Sequence, residues 1–171
     1  MRKRLFLLLL AFISLCQMYA VERTKLNFNG GWLLKVGDFQ GAELANYKDA
    51  GWKQITLPRA FNEKEAFKVS IEHLSDTIMW YRKHFHIQEV GDRKYFIEFE
   101  GVRFGADIWL NGKKVGYTEN GVMASGFDLT PYIIKGENVI AVRVDNSQQK
   151  NCRWYSGSGI YRHVWLLTTE A

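Results

Sequence analysis

Three sets of side chains have the types and spacing to do chemistry. Glu98 and Glu100 lie in KYFIEFE, residues 94–100. Two residues apart on a strand they would share a face with roughly 6.5–7 Å between Cα atoms, close to the spacing of an inverting carboxylate pair in glycosidic bond hydrolysis. A catalytic pair must flank the bond, however, and strand neighbours of this kind point the same way. The alternation therefore predicts a solvent-facing acidic strand edge. His84 and His86 have the same spacing and supply two of the ligands a zinc ion needs, but no third is placed by sequence. They read as partly exposed strand histidines. Ser156 and Ser158, around the Gly-Ser-Gly at 157–159, lack both the frame of a G-x-S-x-G elbow and a following helix. No Gly-Lys-Ser/Thr is present to make this a phosphate loop. Gly157 and Gly159 are expected to let the backbone turn tightly or approach a neighbour closely.

Aromatic groups give a different chemistry. In CRWYSGSGIYR, residues 152–162, Arg153, Trp154 and Tyr155 stand together in a polar stretch. A sugar ring has an apolar C–H face that stacks on an indole or phenol, and hydroxyls that need hydrogen bonds from a group such as a guanidinium. The competing reading is that Trp154 or Tyr155 caps the end of a hydrophobic core. No cofactor motif accompanies these residues, and neither a cofactor nor a metal is expected.

The elements that must position them follow from composition and pattern. Arg2, Lys3 and Arg4 precede the apolar run LFLLLLAFISL at 5–15. That is the layout of a secretory signal peptide, expected to span residues 1–20 with cleavage after Ala20. The run is short of the ~20 apolar residues of a spanning helix. Lipid attachment at Cys16 is the minority alternative, because Leu15 occupies a place where such sites want a small residue. The leader carries three of the 23 basic residues and no acidic one, leaving 20 against 18 and a net charge of +2. Nucleic-acid binding loses its main support, since the basic excess belongs to the leader. Cys152 is then the one thiol remaining, so no internal disulfide forms and a single apolar core must hold residues 21–171. The expected location is secreted or periplasmic, without a membrane contact once the leader is removed.

Period-two alternation marks strands in 94–100, in 106–119 around Asn111-Gly112, in 138–146 and in 159–170. Asn-Gly tolerates the positive φ angles of a type I′ turn, so 106–119 is a predicted hairpin. FNGGWLLKV (28–36), WKQITLP (52–58) and MWYRKHFHI (79–87) are further strand candidates, and 61–76 reads as a long loop. Eight or more short strands separated by turns predict an all-β, antiparallel sandwich.

The order of several motifs carries a resemblance. WYRKHF (80–85), FEGVRFGADIWLNGKKVGY (99–117), FDLTPYI (127–133), GENVIAVRVDNS (136–147) and RWYSGSGIYRHVWL (153–166) resemble the N-terminal domain of glycoside hydrolase family 2. The likeness runs from about Leu26 to Thr169. That family includes β-galactosidases, β-glucuronidases and β-mannosidases. The resemblance implies a jelly-roll, galactose-binding-like β-sandwich that is followed, in the family, by an immunoglobulin-like domain and a (β/α)8 barrel bearing the two catalytic glutamates. A barrel needs about 250 residues, so the catalytic residues are expected to lie outside this chain, and Glu98 and Glu100 do not inherit their role. The resemblance also implies that the loop before the S-G-I motif reaches towards the barrel's sugar pocket, where many members place an acid seven positions before the Ile. Here that position is Arg153, so the likeness does not extend to a cation or galactosyl hydroxyl held by that carboxylate. A second contact, often Asn or Asp after an LP motif, is replaced in LPRAF (57–61) by Arg59 and Ala60.

The expectation is thus a non-catalytic, β-galactosidase-like N-terminal domain. Its partners would be a β-galactoside or related carbohydrate and the immunoglobulin-like and barrel domains of a parent enzyme. Arg153, Trp154 and Tyr155 are its expected substrate contacts. A free-standing carbohydrate-binding module and an inactive truncated product are the alternatives.

Overall fold

The computed structural model describes residues 23–64, 68–69, 76–148 and 157–170. Twelve strands form in chain order. They are β1 (Arg23–Asn27), β2 (Trp32–Val36), β3 (Lys53–Ile55), β4 (Ile78–Ile87), β5 (Arg93–Phe99) and β6 (Val102–Arg103). The second half adds β7 (Gly105–Leu110), β8 (Lys113–Thr118), β9 (Ser125–Asp128), β10 (Gly136–Asp145), β11 (Gly159–Ile160) and β12 (Val164–Glu170). No helix occurs among the described residues.

Four strands in the order β1-β12-β5-β9 face six in the order β3-β2-β4-β10-β7-β8, and β11 pairs with β6 at one end. Every pairing is antiparallel. This is the all-β antiparallel sandwich the pattern predicts, in the jelly-roll form the resemblance implies. Asn111 (φ 52°) and Gly112 (φ 79°) make the turn between β7 and β8 in the left-handed conformation a type I′ turn requires. The Asn111 side chain also works away from the turn: its amide donates to Tyr132 O and to Asn138 Oδ1, and its oxygen accepts from Val139 N.

Strand alternation decides what is buried between the sheets. Met79 and Tyr81 on β4, Ile140, Val142 and Val144 on β10, and Ile97 and Phe99 on β5 meet in the core, each nearly or fully buried. The opposite face of β4 carries Trp80 and Arg82, and these are also buried. The segment 37–52 folds over that outer face, so Ala42, Trp52, Trp80 and Ala141 form a second core with Phe39, Tyr47 and Trp109 packed against it.

Three boundaries differ from the pattern. The strand expected at 28–36 begins only at Trp32, because Phe28 N bonds Val164 O and Gly31 turns the chain at φ 71°. The one expected at 52–58 contracts to β3, since Leu57 N leaves the ladder for Asn29 O. The single strand expected over 159–170 is broken between β11 and β12, which join different sheets.

Candidate functional site

At one end of the sandwich the chain leaves β10 through Asn146, Ser147 and Gln148 and returns at Gly157, Ser158 and β11. Arg153, Trp154 and Tyr155, the expected sugar contacts, lie outside the described residues, as do Cys152 and the expected signal peptide. What the structure shows is the stem that would hold them.

That stem is built from buried polar groups. Asn62, Asn146 and Ser158 are 3%, 1% and 1% exposed, so solvent cannot satisfy their polar atoms. Asn146 Nδ2 donates to Ser158 Oγ at 2.7 Å. Ser158 N donates to Asn62 Oδ1 at 3.4 Å, and Phe61 N to Ser158 O at 3.0 Å. Ser147 closes back on Asp145, donating both N–H and O–H to its carboxylate. A loop tied this way at both feet starts and ends in a fixed direction.

Gly159 completes the stem. Its φ is +90°, and a Cβ there would sit 2.1 Å from the Tyr81 hydroxyl and 3.1 Å from Met79 Sδ. Only a glycine allows this approach, which lets Ile160 N donate to Tyr81 Oη at 3.3 Å. Burial pushes the Tyr81 phenol up, so the hydroxyl stays protonated. The expectation of a close backbone approach at Gly159 therefore holds.

The LPRAF segment runs beside the stem. Arg59 N donates to Ile160 O at 3.1 Å, and a Cβ on Gly157 would lie 3.3 Å from that of Ala60. Arg59 pairs with Glu63 at 2.5 Å. Fold topology thus brings together the two segments that sequence alone could only name separately. Arg103 on β6 faces β11 in register with Gly159, and Tyr161 donates from its hydroxyl to Gly121 O at 2.5 Å. Phe104, Val122 and Met123 are 42%, 60% and 63% exposed beside these contacts.

No other sequence candidate joins this end. Glu98 pairs with Lys25 at 2.9 Å, and Glu100 accepts from Trp165 Nε1 at 2.7 Å. The expectation of a strand edge is corrected here, because β5 lies between β12 and β9 and these carboxylates sit on the sheet's outer face. His84 and His86 are exposed as expected, but each meets its own acid, Asp49 at 2.7 Å and Glu137 at 2.9 Å. Ser158 is buried and hydrogen-bonded, so it offers no nucleophile. Among the described residues no group of three or more His, Cys, Asp or Glu side chains could hold a metal ion. Sequence reading missed the anchors Asn62, Asn146 and Tyr81. Their one signal is that an amide or hydroxyl interrupts an apolar pattern next to a turn.

The family model described as "Glycosyl hydrolases family 2, sugar binding domain" matches residues 38–170. Among similar proteins, a β-galactosidase of Bacteroides ovatus is 37% identical over 155 residues, 86% of this chain and 18% of its own. A β-glucuronidase of Formosa agariphila is 37% identical over 170 residues, covering 87% and 17% respectively. In three dimensions the chain is similar to a β-glucuronidase from glycoside hydrolase family 2, with a TM-score of 0.80 and 33% identity over 90% of this chain and 18% of that one. A β-glycosidase from Bacteroides vulgatus follows at a TM-score of 0.75 and 36% identity, covering 85% and 20%. The chain therefore spans about a fifth of the length of these relatives.

Proposed function

The chain belongs to glycosyl hydrolase family 2 through its sugar binding domain, and from that premise we propose that it serves a parent exo-glycosidase by carrying the 149–156 loop to the rim of the enzyme's sugar pocket. One observation carries this reading: the loop's two feet are locked by buried hydrogen bonds of Asn62, Asn146 and Ser158, the kind of support that holds a binding loop in one geometry. Within the loop, Trp154 and Tyr155 offer faces for a sugar ring. Arg153 supplies a charge-assisted hydrogen bond to a sugar hydroxyl or carboxylate. Similarity to both a β-galactosidase and a β-glucuronidase makes a β-galactoside and a β-glucuronide the two substrates to try.

Catalysis belongs, in this reading, to a barrel that joins the sandwich at the same end. Phe104, Val122 and Met123 are exposed around the stem and form the apolar surface the remaining domains would cover. Residues 1–20 direct export to the periplasm or beyond.

Grafting residues 21–171 in place of the matching domain of a related β-glucuronidase or β-galactosidase tests the proposal. Trp154→Ala in the graft should lower kcat/KM by about tenfold or more. A graft that folds and turns over equally well with Trp154→Ala and Tyr155→Ala removes the loop from the pocket. Isothermal titration of the chain alone separates this from a free-standing module, whose binding of a β-galactoside or β-glucuronide without any barrel would be lost with Trp154→Ala.

A further inference from the structure

The outer face of the six-stranded sheet carries a second candidate binding surface, away from the stem. Across β4, β10 and β7, Arg143 is in register with Trp80 and with Asp107, while Ala141 is in register with Arg82 and with Trp109. The small Ala141 leaves a hollow on that face. Trp80 and Trp109 fill it by stacking, with ring centroids 5.4 Å apart and planes 26° from parallel. The segment 37–52 packs over this face as far as the β7–β8 turn, where a Cβ on Gly112 would lie 3.7 Å from Leu44 Cα, and its Asp38–Glu43 stretch faces Asp107, Trp109 and Lys114 of these two strands. An open groove of about 600 Å³ remains between them, lined by Asp38, Gln40, Glu43, Trp109, Lys114 and Arg143 among others. Its volume falls within the range of about 300–1,000 Å³ usual for small-ligand sites.

The polar groups along this groove are held in place. Arg143 grips Asp38 with two hydrogen bonds, at 3.0 and 2.7 Å, and Trp80 Nε1 donates to the same carboxylate at 3.0 Å. The hydrogen bond from Arg143 holds the Asp38 carboxyl down to about 2. Lys114 pairs with Asp107 at 2.7 Å across the β7–β8 hairpin. Trp80 occupies one face of Trp109, and the part of Trp109 that stays exposed lines the groove.

We propose that this groove binds a neutral oligosaccharide, as a glycan-holding site separate from the 149–156 loop. A partly exposed indole flanked by fixed donors and acceptors suits a sugar's C–H face and its ring of hydroxyls. The charge balance selects among glycans. Asp38, Glu43 and Asp107 outnumber Arg143 and Lys114, and both cations already face carboxylates. An oligouronate would meet net negative charge and find no free cation in this lining, whereas neutral hydroxyls can donate to the carboxylates and accept from the paired N–H groups.

The test is a titration of the purified chain with a neutral galacto-tetrasaccharide and, in parallel, with an oligouronate of equal length. Heat and the indole N–H signals of Trp80 and Trp109 are followed together. Saturable, millimolar binding of the neutral sugar that shifts both indoles is expected, with the oligouronate about tenfold weaker or worse. Trp109→Ala should weaken binding by about tenfold. Should that variant fail to fold, the double variant Gln40→Ala, Glu43→Ala, confined to loop positions, should still weaken it by about threefold. Glu98→Ala, on the outer face of the other sheet, should change nothing. Absence of saturation, a preference for the oligouronate, equal binding by all groove variants, or loss of binding in Glu98→Ala would each overturn the proposal. The last two results leave the role of the loop in a parent enzyme untouched.

Discussion

Single residues hold the least expected features. Arg82 is fully buried on the outer face of β4, where its Nε donates to Asp49 Oδ2 at 2.8 Å and its Nη1 donates to the carbonyls of Ala42 and Leu44. Burial alone pushes the Asp49 carboxyl up, but hydrogen bonds from Arg82 and His84 hold it below the usual carboxylate range. Asp49→Ala would strand a buried guanidinium and should destabilise the fold by about 3–5 kcal/mol. Chemical denaturation measures this. Gly159→Ala must place a methyl group against the Tyr81 hydroxyl in a left-handed backbone, and should cost about 3 kcal/mol. In a Tyr81→Phe background, which removes that hydroxyl, the cost of the same substitution should shrink. Gly159 was legible in the sequence, because a Gly-Ser-Gly before a strand already implies an unusual backbone. The burial of Arg82 was not, since alternation places it on an outer face and nothing in the polar-looking 37–52 segment announces that it folds over that face.

At the scale of elements, legibility follows how much of a strand's stability comes from side-chain burial. β5 and β7 alternate visibly because one face of each meets the core, whereas the middles of β4 and β10 are buried on both faces, by the core and by 37–52. β1 was missed: four of its five residues are exposed and it is held by backbone pairing with β12. β9 has Phe127 as its one large apolar residue, and β6 and β11 are two residues each, too short for a period to show. The connection between β7, β8 and β10 rests on Asn138, which is 0% exposed and has its amide donating to Ile134 O and Gly136 O while its oxygen accepts from Asn111 Nδ2 and Ile134 N. Asn138→Ala leaves those groups without partners and should lower stability by about 2–4 kcal/mol. β4 also carries a pH effect. Burial lowers the Lys83 ammonium from 10.5 to about 8. Between those values the unfolded chain binds more protons than the fold, so this site's contribution to stability rises with pH across about 8 to 10.5 and is smallest below it. Lys83→Met should remove that rise, which denaturation at a pH on either side of the window would detect.

The whole molecule is a two-sheet sandwich with one core between the sheets, a second beneath 37–52, and at one end a buried polar stem of Asn62, Asn146 and Ser158. Sequence reading reached the sandwich, the family and the close backbone approach at Gly159. It could not reach the stem, because Asn62 and Ser158 are 96 positions apart and meet only once β11 has paired with β6. If the loop end docks onto a barrel, Val122→Asp with Met123→Asp should lower the melting temperature of a grafted enzyme by several degrees and leave that of the isolated domain unchanged. The central claim is that this loop touches the sugar, and Arg153→Ala in the grafted enzyme tests it most directly. The account predicts that kcat/KM falls by about tenfold or more on a β-glucuronide, a β-galactoside or both. Values equal to those of the unsubstituted graft on both substrates would contradict it.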